Sequence, residues 1–122
     1  MQQENQNSYR KLIVWQKADE LAFQIYLATK NFPKDEMFGL TSQIRRAAFS
    51  VPANIVEGYA RSSKKEKIQF YSIARGSLTE LEYYIDFSLR LEYLSKDQHM
   101  KLVNLRMEVG RLLNGFIQST KI

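Results

Sequence analysis

Only two prolines, Pro33 and Pro52, and five glycines interrupt this chain of 122 residues, and alternating β-branched runs are hard to find in it. A backbone so free of breakers has one regular option over most of its length, the α-helix. Apolar spacing supports the same option: Val14, Ala18, Leu21, Ala22, Ile25, Ala28, Thr29 and Phe32 share one face of a first helix expected from about Leu12 to Asn31. Pro33 ends it, because the residue before a proline is pushed out of the α region. After the connection KDEMFG a second helix is expected from about Gly39 to Arg61. Ser63 with Glu66, and Ser95 with Gln98, have the spacing at which a serine caps a helix and the residue three later returns to the capping amide. They delimit a third helix running to about Leu94, roughly 45 Å long at about 1.5 Å per residue, and a fourth from about Lys96 to Gln118. Connections this short place successive helices antiparallel, so the expected fold is all-α, an up-down-up-down four-helix bundle. It occupies residues 12–118, between a flexible N-terminal tail, 1–11, and a C-terminal tail, 119–122.

A chain of this length can bury one sufficient core. The absence of cysteine excludes a disulfide framework and thiolate chemistry, and fits a reducing compartment. No signal-type apolar run opens the chain, and none approaches the roughly 18 apolar residues of a membrane span, so a soluble, cytoplasmic protein is expected. Eighteen Lys and Arg against thirteen Asp and Glu give a formal charge of +5, which favours anionic partners without requiring them.

The last two helices carry more apolar surface than one core needs. On the fourth, Met100, Val103, Met107, Gly110 and Leu113 share one spacing, while Leu102, Leu105, Val109, Leu112 and Phe116 share another. The third sets Phe70, Ile73, Ala74, Ser77, Leu81, Ile85 and Leu89 beside Tyr71, Leu78, Tyr84 and Leu91. A helix apolar over so much of its circumference is buried on several sides by tight packing among the four helices or meets a partner, and self-association is the expected reading.

Along the second helix, Gln43, Arg46, Ser50, Asn54, Glu57 and Arg61 follow at spacings of 3 and 4, a polar seam beside the apolar seam Leu40, Ile44, Ala47, Val51, Ile55 and Tyr59. Pro52 lies within it. Lacking an N–H, it frees the carbonyl of Ala48 and is expected to kink one continuous helix; the other option is a fresh helix capped by Ser50 with Pro52 in its first turn.

The stretches VWQKADELAFQIY, FPKDEMFGLTSQIRRAAFSVPANIVEGYAR and IARGSLTELEYYIDFSLRL together resemble, over nearly the whole chain, the four-helix-bundle protein family first noticed as open reading frames in intervening sequences of bacterial ribosomal RNA genes. The most specific part is the run of Gln43, Arg45, Arg46, Ser50, Asn54, Glu57 and Gly58, echoed by Arg75, Gly76, Ser77 and Glu80. The accessory variability determinant of diversity-generating retroelements, a pentameric barrel that engages reverse transcriptase and nucleic acid, has the same fold. The resemblance therefore implies a bundle that assembles as a ring, in expectation a homopentamer, and it implies no established activity. In such an assembly the polar seam suits a subunit contact or a pore lining, where Arg46, Asn54 and Glu57 fix register. It equally suits a network inside one bundle, joining the second helix to Arg75, Ser77 and Glu80 of the third.

Enzyme readings find little to stand on. A di-iron bundle needs inward glutamates and paired Glu-x-x-His motifs, whereas the one histidine, His99, has Lys96 three residues before it and reads as a solvated surface residue. Glu80 and Glu82 point in different directions on a helix and cannot form one acid–base pair. No phosphate-binding glycine loop, nucleophile elbow or zinc-protease motif occurs. No catalytic residue, cofactor or metal is expected. Trp15, Phe70, Tyr71, Tyr83 and Tyr84 read as packing residues rather than base-stacking platforms.

The clearest binding signal is RSSKKEK, where Arg61, Lys64, Lys65 and Lys67 surround a helix N-terminus and only Glu66 opposes them. Free N–H groups and lysines attract phosphate, and a ring would multiply the turn into a basic rim. Arg45 joins this set if it points outward. The expected function is a non-enzymatic, ring-forming bundle that binds RNA or a nucleoprotein such as a reverse transcriptase; the alternative is a protein-interaction scaffold.

Overall fold

A computed structural model describes residues 8–122. Four α-helices, α1 (Ile13–Thr29), α2 (Leu40–Tyr59), α3 (Lys64–Arg90) and α4 (Lys96–Lys121), account for most of them, with short 3-10 turns at Tyr9–Lys11 and Lys34–Glu36 and no strand among the described residues. Each helix packs on its two neighbours around a square, α1 on α2 and α4, α3 on α2 and α4, while the diagonal pairs do not meet. This is the four-helix bundle that the apolar spacing and short connections call for.

Local chemistry sets the ends. Ser95 and Gln98 form a complete capping box: the Gln98 N–H donates to Ser95 Oγ at 3.1 Å, and the Ser95 N–H donates to Gln98 Oε1 at 2.9 Å. Ser63 caps α3 only one way. Its Oγ accepts from the Glu66 N–H at 3.1 Å, but its hydroxyl, not its amide, donates to the Glu66 carboxylate. The α3 helix stops at Arg90, before the expected Leu94, because Glu92 takes a left-handed conformation at φ 64°. The Tyr93 N–H then reaches the Ser88 carbonyl and the Glu92 N–H the Leu89 carbonyl, both at 2.9 Å, closing a Schellman motif without its usual glycine. Part of the expected N-terminal tail is also built into the fold: Tyr9 packs edge-on against Trp15 with ring centroids 4.9 Å apart, and residues 1–7 lie outside the described region. At the other end α4 continues through Lys121, into the expected C-terminal tail.

The α2 helix runs unbroken through Pro52, which is buried, so no second helix starts at Ser50. Its core face is Ile44, Ala47, Ala48, Val51 and Ile55. Across from it, α3 buries Tyr71, Ala74, Leu78, Leu81, Ile85 and Ser88, spaced 3 and 4 residues apart. That stripe draws from both apolar sets of the third helix, which corrects the separation made from spacing alone. The fourth helix divides differently. Leu102, Val109, Leu113 and Ile117 are buried, whereas Met100 and Met107 lie exposed on the surface. Small residues bring α2 and α3 close, and Gly58 is the extreme case: a Cβ there would lie 2.5 Å from Tyr71 Cε1.

Candidate functional site: a polar groove between α2 and α3

Where α2 and α3 approach on short side chains, an open groove of about 400 Å³ runs between them, lined by Gln43, Arg46, Ser50, Ser77, Glu80 and Tyr84. Its floor is hydroxylic. The buried Ser77 hydroxyl donates to Ser50 Oγ at 2.7 Å, and Asn54 Nδ2 donates to the same Oγ at 2.9 Å and to the Ser50 carbonyl at 2.8 Å. Gln43, Arg46 and Glu80 are exposed at its edges, and neither Arg46 nor Glu80 forms an ion pair among the described residues. The upper half of the polar seam is thus one site, joined to Ser77 and Glu80 of α3.

The rest of the seam leaves it. Glu57 and Arg61 form an exposed i,i+4 ion pair at 3.0 Å, with the Arg61 guanidinium 4.7 Å from the Phe70 ring centroid. They belong to no buried network among the described residues. Arg75 is on a different side of α3, in a groove shared with α4, and does not meet the seam.

Nor are the basic residues free as a group. Arg45 turns toward α1, where its Nε donates to Thr29 Oγ1 at 2.8 Å and its guanidinium stacks 4.0 Å from the Tyr26 ring centroid. It does not point away from the bundle. Lys67 Nζ donates to the Tyr59 carbonyl at 2.8 Å, satisfying an acceptor at the C-terminal end of α2. Lys64 Nζ donates to the Ile122 carbonyl at 2.8 Å. Lys65 alone of the turn's lysines has no hydrogen-bond or ion-pair partner among the described residues.

Two further polar contacts escape sequence reasoning. His99 is half-buried and its Nε2 lies 2.9 Å from Asp86 Oδ1, tying α4 to α3 rather than standing in solvent. The Tyr93 hydroxyl donates to Glu36 Oε2 at 2.9 Å, fastening the α3–α4 turn to the α1–α2 connection, and that bond, ahead of burial and the neighbouring carboxylate charges, raises the phenol's pKa. A helical spacing cannot announce either, since both join residues on different elements.

Fold and site together define a small all-helical bundle protein whose polar features lie in open grooves. The chain belongs to the 23S rRNA-intervening sequence protein family, whose pattern matches residues 10–115. It is similar to a protein of unknown function from the S23 ribosomal protein family of Bacteroides thetaiotaomicron, known from its crystal structure: 30% identical, covering 86% of this chain and 98% of that one, with a TM-score of 0.77. No curated protein matches it. No helix is long and apolar enough, among the described residues, to cross a membrane.

Proposed function

We propose that this is a non-catalytic, cytoplasmic assembly protein, a bundle that forms a ring of five copies and in that state binds RNA or a nucleoprotein such as a reverse transcriptase. The observation that carries the reading is the apolar surface left uncovered after the core is complete. Phe23 and Tyr26 lie one helical turn apart on α1, and Tyr26 meets Phe49 of α2 with ring centroids 6.2 Å apart. Tyr83 of α3 is 62% exposed and Met100 of α4 63%. Phe23, Tyr26 and Phe49, exposed together on neighbouring helices, make an aromatic patch of the kind that another copy or a partner covers. RNA comes ahead of DNA because the names of the family and of its Bacteroides relative refer to ribosomal RNA and a ribosomal protein. The net charge of +5 supports a polyanion.

The alternative, a protein-interaction scaffold, draws support from the basic turn itself, where Arg61, Lys64 and Lys67 are engaged within the chain. Light scattering coupled to size exclusion tests assembly. A mass near five times 14.3 kDa is expected, and a monomer at micromolar concentration refutes it. Titration of a single-stranded RNA across ionic strength tests the partner: the affinity falls steeply with salt if phosphates are bound, whereas salt-insensitive or absent binding favours the scaffold.

A further inference from the structure

On the face of the bundle away from the polar seam, α3 and α4 enclose a second open groove of about 430 Å³ that gathers three arginines, Arg75, Arg106 and Arg111, with Thr79, Gly110 and Asn114. One carboxylate faces them. Glu82 Oε2 accepts from Arg106 Nη2 at 3.2 Å, while Nη1 donates to the Leu78 carbonyl at 3.3 Å and the buried Nε has no partner. Arg106 is thereby held in place against α3. Arg75 and Arg111 are exposed and make no ion pair among the described residues; Glu108, three positions before Arg111, is instead 3.5 Å from Lys17 of α1. Gly110 lies between them without a packing reason. A Cβ there would touch only Leu78 Cδ2, at an ordinary 3.6 Å, so an alanine would fit and would favour the helix more, and the glycine keeps the groove open.

We infer that the α3–α4 groove is an anion site that takes a phosphate group, with Arg75 and Arg111 as its movable donors beside the fixed Arg106. Guanidinium groups in excess of carboxylates, converging from two helices on an open concavity, suit the several oxygens of a phosphate better than a single carboxylate. The site is independent of the turn at Lys64, Lys65 and Lys67 and of any ring. Its phosphate comes from a nucleic-acid backbone or from a small phosphorylated molecule, which two probes distinguish.

The experiment follows the arginine Nε–H resonances of ¹⁵N-labelled protein during titration with inorganic pyrophosphate and, separately, with a short oligouridylate. Arg75 and Arg111 are expected to shift saturably with pyrophosphate below about 1 mM, and Arg75→Gln and Arg111→Gln each to weaken binding about tenfold while the melting temperature holds. Lys30→Gln and Lys34→Gln, which remove charge outside the groove, leave that affinity unchanged. If oligouridylate shifts the same resonances and competes with pyrophosphate, the backbone is the source; if only pyrophosphate binds, a small phosphorylated ligand is. Absence of a saturable shift with either probe, affinity indifferent to both arginine variants, or variants that change only the oligomeric mass overturns the assignment.

Discussion

Gly58→Ala puts a methyl group in place of a hydrogen at the tightest point of the bundle. The new Cβ would lie 2.5 Å from Tyr71 Cε1, 2.8 Å from Cδ1 and 3.0 Å from Phe70 Cβ. Carbon atoms pack at about 3.5–4.0 Å, so the overlap is about 1 Å. The ring cannot swing clear, since Tyr71 is 1% exposed and already packs on Phe116 with centroids 4.8 Å apart. Phe70 Cβ is fixed to the α3 backbone, so relief requires α2 and α3 to separate. Overpacking of this kind costs about 1–3 kcal/mol, or more where backbone must move. Alanine returns about 1 kcal/mol through helix propensity, leaving a net loss of up to about 2 kcal/mol and a melting temperature lower by up to roughly 10 °C. Gly76→Ala and Gly115→Ala make the same chemical change where nothing lies within 4 Å, so both should raise stability, by up to about 1 kcal/mol. Urea unfolding of the three variants measures this directly. A Gly58→Ala variant as stable as the two controls refutes the close approach.

Glu92→Gly should stabilise by about 1 kcal/mol, because φ 64° burdens any residue with a Cβ; thermal unfolding reads the gain, and a loss would mean that the glutamate makes a contact worth more than the strain. Glu57→Ala should lower monomer stability by no more than about 0.5 kcal/mol, since its pair with Arg61 is exposed, and a larger loss in urea unfolding contradicts the surface placement. Burial, with Tyr59 adding to it, pushes the Tyr71 phenol up to about 12, so the stability it contributes is complete below the unfolded value of about 10 and disappears as pH rises through 12. Tyrosinate absorbance should therefore show Tyr71 ionising together with unfolding in that window, and ionisation near 10 in a still helical protein contradicts it.

Helix number, order and most boundaries were legible because they depend on breakers, caps and apolar period, all local properties of the chain. The α3–α4 turn was read too late for a specific reason: its left-handed residue is Glu92, and without a glycine there the spacing offers no stop before Ser95. On the third helix two apolar sets were read where the bundle uses one stripe, Tyr71 to Ser88, because pattern alone does not say which neighbours lie on either side. The upper half of the polar seam lies on one face of α2, where Ser50 meets Ser77. Its lower half and Arg75 leave the site: Arg61 pairs with Glu57 in solvent, Arg75 lines the groove toward α4, and the neighbouring Arg45 takes Thr29 and the Tyr26 ring of α1. The Arg61–Glu57 pair has the i,i+4 spacing that a helix announces, but the choice of Arg45 depends on side-chain reach across elements, about which helical spacing carries no information.

The polar seam and the close helix pair have one cause. The α2 and α3 backbones approach where Gly58 meets Tyr71 and Phe70 and where the short Ala47, Ser50 and Ser77 line the contact, and the two serine hydroxyls bond each other at 2.7 Å. Serines that short cannot fill the space above them, so the longer Arg46 and Glu80 border a groove instead of closing it. Both charges are exposed and unpaired among the described residues, so water satisfies them. Their hydrogen-bonding capacity therefore faces out of the bundle, while that of Ser50, Asn54 and Ser77 is spent within it.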